Sequence, residues 1–343
     1  MSASLRFPAE WEPQSGVLIA WPHAGTDWAD GLADVERTYV ELAAAIARFE
    51  RVVVCVADVE VGRRAAAMLS GAGVPTDRVR FAQLPYDDTW LRDSGPITLR
   101  DADGFRLLDF EFTAWGGKFD AGEDDQLVAR LHAGGLFGGA ARERVDFALE
   151  GGGIETDGDG TLLSTWACLH ERHPSIDRET MTARLQAYLR QERTLWLDHG
   201  YLEGDDTDAH IDTLARFAAT DAIVYQACDD PEDSHYAELQ AMAAEIAAFR
   251  TTDGFPYRLF PLPWPRAIRE DGRRLAASYA NFLIINGAVL MPAYGDPADD
   301  AAAEVLGRAF PGREIVPIDC RPLIRQNGSL HCVTMQLPEG LLA

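Results

Sequence analysis

The chain has 343 residues, 47% hydrophobic and 25% charged, enough to bury a large core in one large domain or two smaller ones. A formal charge of -24 argues against a nucleic-acid partner, whose phosphates need a basic face, and suits a small cationic ligand, although acidity for solubility alone gives the same figure. The longest apolar runs, Gly16–Trp21 and Phe282–Ile285, fall far short of the ~20 residues that cross a bilayer. No membrane is expected, and Met1–Pro8 lacks the apolar stretch of a secretory signal, so the expected location is the cytoplasm.

In chain order, helix-like and strand-like segments alternate. Residues 33–49 place Val35, Tyr39, Leu42, Ile46 and Phe49 at helical spacing, and Arg51–Val56 reads as a buried strand. Trp90-Leu91-Arg92-Asp93-Ser94-Gly95-Pro96 reads as a strand stopped by Gly-Pro, which exposes the Asp93 carboxylate at its end; a turn-capping aspartate would look the same. Trp115-Gly116-Gly117-Lys118 sets an aromatic ring beside two glycines. Glu150-Gly151-Gly152-Gly153 lets the backbone pass close to a ligand, but no GxGxxG or GK[ST] pattern and no basic residue for phosphate accompany it. A helix over Met181–Gln191 precedes a strand over Thr194–Leu197.

In Thr207-Asp208-Ala209-His210-Ile211-Asp212, His210 and Asp212 are two apart and would share one face of an extended strand. Such a pair can ligate zinc or iron, but no second histidine stands at a convincing spacing, so no metal is expected. Helices over 236–249 and 300–309 flank Ser278-Tyr279-Ala280-Asn281-Phe282, and Glu314–Val316 is strand-like. Asn327-Gly328-Ser329-Leu330-His331-Cys332-Val333-Thr334-Met335-Gln336 places Cys332 in a short apolar run, where His331 would face the opposite side of the strand. Cysteines 55, 168, 228, 320 and 332 form no CxxC pair, which speaks against a disulfide framework or zinc cage. No low-complexity linker breaks the pattern, and residues 1–343 read as one domain.

Asp93, Glu150, His210, Asn281 and Cys332 follow one another at intervals of 57, 60, 71 and 51 residues. If each sat at the inner end of a strand in a repeating unit, five units would converge on one axis. The same residue types are what attack on a guanidinium carbon requires. Resonance makes that carbon a poor electrophile, so carboxylates must pin the planar cation while a general acid protonates the departing nitrogen.

In this order, from Pro8-Ala9-Glu10-Trp11 to Cys332, the segments resemble the agmatine deiminase family of guanidine-modifying enzymes. The resemblance implies an α/β fold, a five-bladed α/β propeller of ββαβ units known as the pentein fold, with the active site at its centre. It implies Cys332 as nucleophile, His210 as the proton-moving group, Glu150 as its support, and Asp93 and Asp212 as grips on the guanidinium. Asp88, Trp90, Trp115, Asp208 and Asn281 are the expected substrate-binding residues, with Trp115 stacked on the alkyl-guanidinium. The implied reaction takes agmatine, a small cationic guanidine, to N-carbamoylputrescine and ammonia in polyamine biosynthesis, with no metal or organic cofactor.

Arginine and peptidyl-arginine are alternative substrates, and members of the family often form homodimers. Where the family commonly carries Asn-Arg-Asn-Pro after Cys168, this chain reads Glu171-Arg172-His173-Pro174, which leaves the hold on the substrate's far end open. Two readings from other classes compete. A cysteine protease would attack a neutral amide and need an oxyanion hole, and a non-catalytic propeller would have no use for the Cys-His-acid set.

Overall fold

The computed structural model describes residues 5–343, so the first four residues of the N-terminal segment discussed above lie outside the described residues. Five sheets repeat one pattern: a strand pairs antiparallel with a central strand, which pairs parallel with a third. In the second sheet Ile97–Arg100, Phe105–Glu111 and Ala141–Ala148 take these places, and in the third Ile154–Thr156, Thr161–Thr165 and Arg193–Leu197. The fourth is built from Ala215–Ala219, Ala222–Gln226 and Arg258–Leu262, the fifth from Leu283–Ile285, Ala288–Ala293 and Glu314–Asp319. The first sheet draws on both ends of the chain: Met335–Pro338 pairs antiparallel with Gln14–Ala20, which continues in parallel to Arg51–Val56 and Val79–Gln83.

Each parallel step needs a crossover, and helices supply it. Leu32–Ala47 returns the chain between two parallel strands and buries Val35, Tyr39, Leu42 and Ile46 in one apolar cluster with Val52 and Val54. Arg178–Leu189, Tyr236–Ala248 and Asp299–Ala309 serve the third, fourth and fifth sheets. These helices and the strand Arg51–Val56 lie within two or three residues of their expected bounds. No helix among the described residues is long and apolar enough to cross a membrane.

The chemically interesting residues are not on strands. Asp93, Glu150, His210, Asn281 and Cys332 each precede, by at most five residues, the strand that opens a sheet. Leu91–Ser94 is one helical turn, closed by Gly95 N–H donating to Leu91 O at 2.9 Å, and the strand begins only after Pro96. His210 opens a 3-10 turn over Ile211–Thr213, where Thr213 donates to His210 O through both its amide and its hydroxyl. The expected strand face shared by His210 and Asp212 is therefore replaced by a tight turn. Cys332 likewise lies in a turn, closed by Thr334 donating to His331 O through its amide and its hydroxyl, so strand alternation does not send His331 away from the site.

Arg216, on the opening strand of the fourth sheet, is fully buried and fastens three parts of the fold. Its Nε donates to Glu155 of the third sheet at 2.6 Å, its Nη2 to Glu10 at 2.9 Å, and its Nη1 to the carbonyl of Phe282, just ahead of the fifth sheet, at 2.8 Å. A guanidinium held this way is stable only because its charge is met by two carboxylates, and the reverse holds for them. Arg216→Met strands Glu10 and Glu155 without their main counter-charge and should cost about 3–5 kcal/mol, read as a lower urea midpoint at unchanged slope.

Candidate active site

Two of the turns that open the sheets, those of Asp93 and Cys332, line a cavity of about 330 Å³ together with loops around Asp27, Asp87, Trp115, Asp206 and Asn327. Seven aspartates line it, namely Asp27, Asp87, Asp88, Asp93, Asp120, Asp124 and Asp206, and no lysine, arginine or histidine does so among the described residues. Trp90, Trp115, Phe112 and Phe119 supply apolar walls. Burial pushes Asp88 up to about 6 and Asp124 up to about 7, because an unpaired carboxylate loses more hydration there than its hydrogen bonds return.

Cys332 is 5% exposed, and its Sγ lies 3.3 Å from Asn281 Nδ2 and 3.9 Å from Asp212 Oδ2. Asn281 also fixes the turn itself: its Oδ1 accepts from His331 N–H at 2.8 Å, and Arg92 N–H donates to Cys332 O at 3.1 Å. Burial raises the thiol's pKa well above its ordinary value, and the Asp212 and Asp93 carboxylates raise it further. The resting sulfur therefore carries its proton.

Asp93 is held on both oxygens. Oδ1 accepts from Gly152 N–H and Oδ2 from Trp115 Nε1–H, each at 2.9 Å. Burial lifts its pKa to about 6 against the downward pull of His210, with Asp212 and Glu150 adding to the lift. His210 Nδ1 sits 3.7 Å from Asp93 Oδ1 with no hydrogen-bond partner, while Nε2 faces Glu150 Oε2 at 3.4 Å. Burial alone would lower this imidazole's pKa, but Asp93, Cys168 and Glu150 hold it well above its ordinary value. Nδ1 is thus the nitrogen free for proton transfer.

Glu150 keeps its charge despite full burial because His210 and Arg172 hold it below the usual carboxylate range. Arg172 Nε donates to Glu150 Oε1 at 2.8 Å, Nη1 to Asp208 Oδ2 at 2.6 Å and Nη2 to Thr207 O at 3.0 Å. Lys118 Nζ reaches the same Asp208 oxygen at 2.7 Å. Asp208 is thereby occupied by two cations and is absent from the cavity lining, and Asn281 likewise touches the thiol and its turn rather than the open space. Asp88, Trp90 and Trp115 do line the cavity; Asp88 accepts from Trp90 Nε1–H at 3.1 Å. Trp115 sits within a left-handed stretch, Ala114 to Gly117, which turns its ring edge-on to Phe112 and brings its indole N–H onto Asp93.

Glu150, Cys168 and His210 place one ligand atom each within 4.8 Å of one another, a set with the donor types of a soft divalent ion, although Arg172 fixes a positive charge on Glu150. Sequence reasoning gave Glu10 and Cys168 no role, expected His331 to face away, and met Arg172 only within the altered Glu171–Pro174 segment. An acid at position 10 amid Pro8, Ala9 and Trp11 was the available signal, since such a residue is buried only with a partner.

The same arrangement of sheets and turns occurs in known deiminases. A solved structure from Porphyromonas gingivalis, described as a candidate arginine deiminase, superposes with a TM-score of 0.92 at 46% identity, covering 99% of this chain and all of that one. The C. jejuni agmatine deiminase, in a cysteine-to-serine variant with substrate bound, gives a TM-score of 0.90 at 32% identity over 98% of this chain and 97% of its own. The fold is thus the mixed α/β fold of the guanidine deiminases. By sequence, the agmatine deiminase of Stutzerimonas stutzeri is 35% identical over 96% of this chain and 95% of its own. Residues 6–338 match the Porphyromonas-type peptidyl-arginine deiminase family, and the chain belongs to it.

A Cβ added at Gly152 would lie 2.5 Å from His210 Nδ1 and 2.8 Å from Asp93 Oδ1, in the space the two groups share. Gly152→Ala should lower turnover by roughly 100-fold or more while circular dichroism keeps the wild-type fold, and it should lower the melting temperature as well, because Asp93 and His210 are buried and must shift to admit the methyl.

Proposed function

We propose that this protein is an agmatine deiminase, a single-domain five-bladed α/β propeller that hydrolyses agmatine to N-carbamoylputrescine and ammonia. The observation that carries the substrate is the cavity lined by seven aspartates and by no cationic side chain among the described residues. A diamine-like substrate with a guanidinium at one end and an ammonium at the other matches that field along its whole length, whereas arginine's α-carboxylate meets charge of its own sign. A cytoplasmic homodimer belongs to the same proposal on the strength of the family resemblance.

In the proposed mechanism the guanidinium lies against Cys332 with its N–H groups toward Asp93 and Asp212. Its positive charge offsets the two carboxylates that hold the thiol proton, so the thiolate forms, with release of that proton, only when a cation is present. Sulfur adds to the guanidinium carbon, His210 Nδ1 protonates one nitrogen, and ammonia leaves. A thiouronium remains. Water gives a proton to His210 and attacks the same carbon, and the second tetrahedral species collapses to the ureido product as its hydroxyl proton passes to the departing sulfur, which restores the Cys332 thiol; the proton released to solvent at the start leaves with ammonia as ammonium. Glu150, backed by Arg172, holds the imidazole through both steps.

Ammonia release across agmatine, free arginine and arginyl peptides tests the assignment. Agmatine should give the highest kcat/KM, and Cys332→Ala should abolish turnover of every substrate; arginine equal to or above agmatine would overturn the substrate, and an active Cys332→Ala the mechanism. The pH profile supplies a separate check. Asp93 must be ionised to hold the cation and titrates at about 6, so kcat/KM should fall as pH drops through that value.

A further inference from the structure

His331 touches the Asp212 carboxylate and is neither in the cavity nor on the reaction path. It is 1% exposed, and its ring lies between two carboxylates, with Nδ1 2.8 Å from Asp212 Oδ2 and Nε2 2.8 Å from Glu10 Oε2. Carboxylates accept and do not donate, so both ring nitrogens donate and the ring has no tautomeric freedom. Glu10 is itself immobile: Arg216 Nη2 holds the same oxygen at 2.9 Å, Ile284 N–H holds Oε1 at 2.7 Å, and Arg92 stands 3.6 Å away. The other oxygen of Asp212, Oδ1, is buried with no hydrogen-bond partner, an arrangement that costs stability unless a donor arrives from elsewhere.

We propose that His331, clamped by Glu10, is a positioning residue for the deimination: it engages Asp212 Oδ2 and so presents Oδ1 to the guanidinium. The inference rests on the functional reading above and extends it to a residue that makes no contact with substrate. A carboxylate free to rotate could offer either oxygen to the cation; as held, Oδ2 faces both His331 and the Cys332 thiol, 3.9 Å away. With Oδ2 taken, one orientation remains. The fixed ring also meets the charge of Asp212, whose pKa burial would raise but His331 lowers, with His210 and Arg216 adding to that effect while Asp93 stands nearby among the acids of the site.

Two substitutions separate the contacts. The amide of His331→Asn reaches the Nδ1 position and can still donate to Asp212, whereas the amide of His331→Gln reaches the Nε2 position and keeps only the Glu10 contact. The asparagine variant should retain the greater kcat/KM, with His331→Gln lower by about 10- to 100-fold, the range for losing one hydrogen bond to a charged group. In both variants the acid limb of kcat/KM, set by Asp93 at about 6 in the wild type, should gain a second ionisation and move to higher pH, because buried Asp212 without its His331 partner binds a proton more readily. A role in packing alone would lower the melting temperature and leave that limb in place. Equal kcat/KM in the two variants, or an unmoved acid limb, would overturn the inference.

Nitrogen-15 NMR of histidine-labelled protein tests the same clamp without turnover or a position-331 variant. One ring should respond at Nδ1 to Asp212→Asn and at Nε2 to Glu10→Gln, and responses on separate rings would overturn the proposal. If the wild-type protein deiminates neither agmatine, arginine nor arginyl peptides, the functional reading fails by itself and this measurement still decides the clamp.

Discussion

Three carboxylates, Asp93, Glu150 and Asp212, are buried within a few ångströms of one imidazole and one thiol, and the rest of the architecture is arranged around the cost of that crowding. Each buried acid is tolerated for a different reason. Glu150 is ion-paired with Arg172, Asp212 with His331, and Asp93 is held by two neutral donors with only His210 as counter-charge. The last has the least compensation, and it is the one whose pKa rises into the working range. The proposed guanidinium would complete a charge balance that the protein leaves unfinished at Asp93.

Compensation explains why so much of the interior is ionic. Glu10, Arg216 and Glu155 form a buried chain behind Asp212, and Arg172 and Asp208 form another behind Glu150 that extends to Lys118, just after the left-handed stretch Ala114–Gly117. The first chain crosses from the N-terminal segment to the third, fourth and fifth sheets, so the positions of Asp212 and Cys332 are set by the fold as a whole and not by their own turns. The second passes through Asp208, next in sequence to Asp206 and Thr207 of the cavity lining. Neither chain contributes a group to its lining, which keeps the open space uniformly acidic.

Periodicity made the helices and the long strands readable, because their apolar spacing reflects burial on one face: Leu32–Ala47 and Arg51–Val56 are examples. The order and spacing of Asp93, Glu150, His210 and Cys332 likewise pointed to one site; in the fold Asp93 and Cys332 line one cavity, and His210 stands behind Asp93 against Glu150. What misled was the assumption that they lie on strands. One-turn helices and hydroxyl-closed turns leave no periodic trace, and Thr213 and Thr334 were the only local hints of them. His331 was placed on the wrong side for that reason. Asp208 was misread for another: nothing local says that Lys118 and Arg172, remote in sequence, would claim its carboxylate.

The pairing of Met335–Pro338 with Gln14–Ala20 has a temporal meaning as well as a spatial one. The turn bearing Cys332 is drawn into place by a strand whose partner was synthesised more than 300 residues earlier, so a nascent chain can build four sheets while its thiol is still in an unformed segment. The place of the thiol is thus tied to the meeting of the two distant segments of the first sheet, while each of the other four sheets closes on segments near one another in sequence.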